Sequence, residues 1–177
     1  SAVKEAKERV KSAIQNSGFS FPICHITVNL APADIKKEGS LYDLPIALGI
    51  LCCLNEIPAA LLPQHFFIGE LALDGSIRGI RGLLPLLCAV HNKEITCIVP
   101  LSNDQEASLI QGLTIYLAED LKEVVSYLKQ GDKLSACHKQ PSSTPSLPFD
   151  IDYKDVCGQE NVKRGLLLSA AGLHNTL

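Results

Sequence analysis

Two close pairs of cations carry the plainest chemistry in this sequence: Lys36-Lys37, within the polar stretch ADIKKEGSLY, and Arg78 with Arg81, separated by Gly79-Ile80. If the pairs converge in space they form a small basic patch. Such a patch suits phosphate contact, which is independent of base sequence and weakened by salt, and makes these four residues candidates for touching DNA. The bland alternative is a solvated loop and a hairpin face. Cys24-His25 and Cys137-His138 are Cys/His neighbours, but a zinc site needs two more ligands in tetrahedral array, and no spacing in the chain supplies them. His25 also falls on an expected strand, where adjacent side chains point to opposite faces. Ser40, Asp43 and His65 have the residue types of a hydrolytic triad, yet nothing in the sequence brings them together.

The composition narrows the classes. The 177 residues are 46% hydrophobic, enough for one sizeable core. The net charge is −3 and the 16 Lys and Arg are spread along the chain, so no domain-wide basic field exists. The longest apolar run, Leu44 to Leu54, is far short of the roughly 20 residues of a membrane span, and no membrane partner is expected. The opening SAVKEAKERV is charged and helical, unlike a secretory signal. Seven Cys is an odd number, and no C-x-x-C pair occurs. Cys52, Cys53, Cys88 and Cys97 lie inside apolar runs and read as small hydrophobes, reduced, in a cytoplasmic protein.

The elements that must position these residues alternate along the chain. Ala2 to Ser17 places Val3, Ala6, Val10, Ala13 and Ile14 on one helical stripe, ended by Gly18. ICHITVNLAP alternates Ile26, Val28 and Leu30 against Thr27 and Asn29, the pattern of a half-buried strand. Asp43 is placed to cap the apolar helix LPIALGILCCLN. FFIGELALDGSIRGI holds two β-runs around Asp74-Gly75, a hairpin signal of the type I′ kind. Helix LLPLLCAVHNK, strand ITCIVP, a short helix opened by Ser102 and closed by Gly112, strand LTIYLA and the amphipathic helix DLKEVVSYLKQG follow. These elements predict one α/β domain of mixed strand direction, an α+β arrangement, over residues 1–130.

Composition then shifts. Gly131 to Asp150 contains three Pro and four Ser without periodicity and reads as a mobile linker over residues 131–150. Residues 151–177 are too few to bury a core alone and read as the start of a second domain.

That last segment, DVCGQENVKRGLLLSAAGLHNTL, resembles the entry to an AAA+ ATPase module. In that family a D-V-x-G-Q-E stretch precedes a helix beside the adenine, and a strand then delivers the P-loop. The resemblance places Val156, Gly158 and Gln159 on the adenine side only, because the P-loop Lys, the acidic strand that binds metal and the arginine finger are not in this sequence. The front stretches AVKEAKERVKSAI, ITVNLAPADIKKEGSLYDLPIALGIL and GELALDGSIRGIRGLLPL keep the motif order of the magnesium-chelatase-like AAA+ proteins of the ComM (YifB) type. Resemblance over nearly the whole chain implies a Lon-protease-like front domain with the fold of ribosomal protein S5 domain 2, and further β-strands ahead of AVKE. It implies a hexameric, helicase-like motor that binds ATP and Mg2+ and acts on DNA in branch migration during natural transformation, its partners being DNA and copies of itself. This fragment itself is expected to hold no cofactor. The alternative is the motor subunit of a magnesium-chelatase complex that inserts metal into a porphyrin.

Likeness to Lon raises a lesser alternative, a serine peptidase. Lon carries its nucleophile in K-D-G-P-S-A-G and its lysine base in G-G-L-K, and a Ser–Lys dyad needs both. Setting Lys37-Glu38-Gly39 on the first motif puts Ser40 at its proline and Leu41 at the nucleophile. Setting Arg81-Gly82-Leu83 on the second puts Leu84 at the lysine. Both catalytic positions are then aliphatic. Sliding the register to use Ser40 does not help, because no Lys lies between Glu70 and Ala89.

Overall fold

The computed structural model describes residues 2–30, 39–91, 93–138 and 152–175. Two compact units divide the chain, Ser1–Pro141 and Ser142–Leu177. The first opens with α1 (Ala2–Asn16), whose Val10, Ala13 and Ile14 recur at helical spacing and are buried. Gly18 ends it with φ +86°, a conformation glycine adopts without strain. The second helix, α2 (Asp43–Cys53), is apolar on nearly every side and accordingly central, with Leu44, Ala47, Leu48 and Leu51 fully enclosed.

Among the described residues six short strands follow: β1 (His65–Phe67), β2 (Glu70–Leu71), β3 (Ile77–Arg78), β4 (Thr96–Pro100), β5 (Thr114–Ala118) and β6 (Ser135–Ala136). The main sheet runs β1-β4-β5-β6, with β1, β4 and β5 parallel and β6 antiparallel to β5; β2 and β3 form a separate hairpin. Period-2 alternation sorts the central strands onto two faces. Ile98, Tyr116 and Ala118 join a core built from α1, α2 and α5 (Leu121–Gln130). Cys97, Val99, Ile115 and Leu117 join a second core with Leu83, Leu87 and Val90 of α3 (Leu83–Val90) and Ala107 of α4 (Asp104–Ala107). Helices on both faces explain why β4 is buried from Cys97 to Pro100. The product is a mixed α+β fold, the class read from the sequence.

The hairpin is tied to the sheet through its tip. Ile77 N–H donates to Glu119 O at 2.8 Å and Leu121 N–H to Gly75 O at 2.9 Å. Behind that turn α5 is capped reciprocally: Asp120 accepts from Glu123 N–H, and the Glu123 carboxylate accepts from Glu119 N–H, both at 2.8 Å. In the second unit, α6 (Glu160–Gly172) carries Val162, Leu167 and Leu168 exposed.

Several expectations are corrected. Ile23 to Leu30 forms no strand, and Ile23, Ile26 and Val28 are exposed. Alternation fits a residue to a pleat but supplies no ladder, and among the described residues no strand pairs with this segment. The hairpin turn is not type I′: Gly75 alone has positive φ, +92°, and its N–H closes the turn on Ala72 O at 3.1 Å. A type I turn followed by a left-handed glycine fits, with Asp74 accepting from the Ser76 N–H and hydroxyl. Asp43 does not cap α2; it is the first helical residue, and its side chain goes elsewhere. Of the four cysteines read as core, Cys97 alone is buried, while Cys52 is half-buried and Cys53 and Cys88 are exposed. The stretch read as linker begins as part of the sheet, with Leu134 buried and Leu117 paired to Ser135; residues 139–151 lie outside those described.

Candidate functional site

Ligands of open α/β sheets gather at the carboxyl ends of parallel strands, and the loops there hold the Arg78 and Arg81 pair. Backbone bonds fasten the loop before α2 to the start of β2: Gly69 N–H donates to Leu41 O and Leu44 N–H to Gly69 O, both at 3.1 Å. That docking brings the Ser40 hydroxyl onto the Glu70 carboxylate, to which it donates. Glu70 stands opposite Arg78 in the β2–β3 register, and the guanidinium lies 3.7 Å from the carboxylate. The Arg78 side chain is two-thirds exposed, so this pair is worth at most about 1 kcal/mol and gives way readily to another anion. Ser40, Glu70 and Arg78 therefore form one chain of polar contacts.

Arg81 sits in the turn Gly79–Gly82 that leads into α3. Asn103, buried just beyond the end of β4, accepts from Ile80 N–H at 3.0 Å and donates to Ile80 O at 2.9 Å. Its amide also donates to Glu106 at 3.1 Å, and the other Glu106 oxygen accepts from Leu84 N–H at 2.9 Å, at the start of α3. A Cβ on Gly79 would lie 2.6 Å from the Ser102 hydroxyl and 3.2 Å from the Asn103 amide oxygen, so a side chain there would have to displace one of them. Gly82 takes φ +75° and faces open space. Arg81 is exposed and makes no ion pair among the described residues.

The remaining expected site residues fall as follows. Lys36 and Lys37 lie outside the described residues. Leu41 and Leu84, the aliphatic counterparts of the Lon-like dyad, are partly buried against the second core. Asp43, His65 and Ser40 are not brought together. Asp43 is buried against Arg9, with contacts of 2.9 and 3.3 Å, while His65 faces Leu61 O at 2.7 Å and the Tyr127 hydroxyl at 3.4 Å. Burial pushes the Asp43 carboxyl above its ordinary range, and Arg9 offsets this only in part. Burial likewise lifts the Cys97 thiol to about 11 and, with Asp104 beside it, Cys137 to about 12, far from nucleophilic. His25 is exposed and not on a strand. Among the described residues no cluster of three metal-ligating side chains occurs. Val156, Gly158 and Gln159 are all exposed ahead of α6, and Gly158 and Gln159 have left-handed backbones.

Glu70, Arg9, Asn103 and Glu106 were missed by sequence reasoning. For Asn103 a signal existed, since N-x-x-E opens a helix; what it could not show is that the amide turns outward to Ile80.

The described residues thus form a mixed α+β domain with helices on both sheet faces and an arginine-bearing loop braced by Asn103. Residues 1–103 match the family described as subunit ChlI of Mg-chelatase. The chain belongs to that family. It is 42% identical over 99% of its length to Competence protein ComM of Haemophilus influenzae and 41% identical over 99% to the protein YifB of Escherichia coli. A Mycobacterium bovis protein is 33% identical over 99% of the chain. In each case the chain spans only about a third of the relative, 34–35%.

Proposed function

We propose that this chain is the non-catalytic accessory region of a ComM-like hexameric AAA+ ATPase that acts on DNA, in branch migration. Residues 1–130 form a Lon-protease-like domain, 131–150 carry a linker with its first turn on the sheet, and 151–177 begin the ATPase module. ATP and Mg2+ are cofactors of the whole protein, and its partners are DNA and copies of itself. The observation that carries the DNA role is the Arg78–Arg81 turn, exposed at the carboxyl ends of the parallel strands and braced from behind by a buried amide. Lys36 and Lys37, which lie outside the described residues, are the other two candidates for touching DNA. Backbone phosphates are the proposed contact, because exposed guanidinium groups bind them whatever the base sequence.

The direct test is anisotropy of fluorescein-labelled single- and double-stranded DNA with the purified chain. Replacing both Arg78 and Arg81 by Ala should remove most of the affinity. Unchanged binding would contradict a phosphate role for the turn.

The family description keeps a second reading open, a motor subunit of a magnesium-chelatase complex; porphyrin-dependent ATPase activity of the whole protein would favour it. The peptidase reading finds less support. Leu41 has no nucleophilic atom, Leu84 accepts no proton, and the Ser40 hydroxyl is engaged with a carboxylate shared with Arg78. Casein turnover by this chain that vanishes in Ser40→Ala would revive it.

A further inference from the structure

We propose that Asn103 is the positioning residue of the phosphate-binding turn: by holding both backbone groups of Ile80 it presents the neighbouring Arg81 preformed to a nucleic-acid backbone. The inference rests on the reading of Arg81 as a phosphate contact and adds what makes that contact effective.

A buried primary amide is an expensive way to fill space, since its polar atoms lose water and must all be re-bonded. Asn103 directs two of its three hydrogen bonds at one residue, taking the N–H and the C=O of Ile80 at 3.0 and 2.9 Å. Its partners are backbone groups that no substitution can make apolar, so removing the amide would leave the Ile80 N–H and C=O without it. What the amide adds is backbone geometry. The turn Gly79-Ile80-Arg81-Gly82 has glycine at both ends, which gives its backbone extra conformational freedom to lose. Three constraints oppose that freedom here. Ile80 is clamped by Asn103, and its side chain packs on the second core. Gly79 faces Ser102 and Asn103, where an added Cβ would come within 2.6 and 3.2 Å of their side-chain oxygens. Gly82 takes the left-handed conformation ahead of α3, whose first turn is secured by Glu106. Arg81 then projects from a fixed base, and the open side of Gly82 leaves room for a sugar-phosphate chain to approach the backbone. Released from that base, Arg81 would leave the place where it meets the phosphate, and the contact itself would be lost.

The test measures duplex DNA binding by this chain across a salt series, because the slope of log K against log salt counts phosphate contacts and does not respond to stability. Arg81→Ala should weaken binding several-fold and reduce the slope by about 1. Asn103→Ala and Gly79→Ala, the latter displacing the clamp from the opposite side, should reduce the slope by the same amount. Either change combined with Arg81→Ala should lower it no further. Leu87→Ala serves as the control for destabilisation alone and should keep the wild-type slope. If Arg81→Ala lowers the slope while Asn103→Ala and Gly79→Ala leave it intact, Asn103 is merely structural and the inference is overturned, with the DNA reading left standing. An unchanged slope in Arg81→Ala overturns both. Should Asn103→Ala fail to fold by circular dichroism, Gly79→Ala decides on the same criterion.

Discussion

Asp43 is where one buried side chain changes the energetics most. As a helix cap its removal would cost roughly 1 kcal/mol; as the partner of Arg9, enclosed at 1% exposure, it should cost about 3 kcal/mol or more, because truncation breaks a hydrogen-bonded ion pair whose carboxylate is buried. Urea unfolding of Asp43→Ala distinguishes the two values. The pH dependence follows from the direction of its shift. Burial dominates and raises the carboxyl above its ordinary 3.8, so the folded chain holds that proton more tightly than the unfolded one. The contribution is fully present below 3.8 and is lost as pH rises through the higher folded value. Compared with Asp43→Asn, the wild type should therefore gain relative stability as pH falls from neutrality into the carboxylate range. A relative loss would mean that Arg9 outweighs burial. Thiol labelling follows the same logic of desolvation: Cys97 and Cys137, lifted to about 11 and about 12, should react with iodoacetamide well after exposed Cys53, Cys88 and Cys157. Peptide mass spectrometry over a time course reads the order directly.

Among the elements, the hairpin is the most informative. Gly75 combines φ +92° with a Cβ position 2.2 Å from the Ser17 hydroxyl, so Gly75→Ala meets backbone strain of about 1–2 kcal/mol and a collision with the end of α1. Thermal unfolding should show a loss larger than for Gly49→Ala, where the added methyl meets open space and helix propensity improves. A smaller loss at Gly75 would mean that the tip moves freely away from α1. Local pattern made most helices and the central strands legible before any coordinates. Val10, Ala13 and Ile14 announce a helix by spacing, and ITCIVP announces a strand buried on both faces. It failed where the outcome depends on a distant partner. Ile26 and Val28 alternate perfectly well but meet no ladder, the turn type was settled by Gly75 alone, and Asp43 found Arg9 thirty-four residues away instead of its own helix. The cation pair at Arg78 and Arg81 could be read directly, whereas Glu70 and Asn103, which hold it, act only through register and loop docking.

For the whole molecule, a net charge of −3 means that any attraction to DNA is local, and binding by this chain should fall steeply with salt. The sequence contains no Gly-rich phosphate cradle with its Lys, so calorimetry with ATP should give no micromolar dissociation constant for the chain alone. The proposed role of the whole protein is ATP-driven action on DNA. Its most direct test is the ATPase rate of the whole protein with DNA, with a porphyrin, and with neither, for the wild type and for the variant carrying Arg78→Ala and Arg81→Ala. Stimulation by DNA, reduced in the variant while the basal rate is kept, is the expected result. A rate that ignores DNA and rises with porphyrin would contradict it.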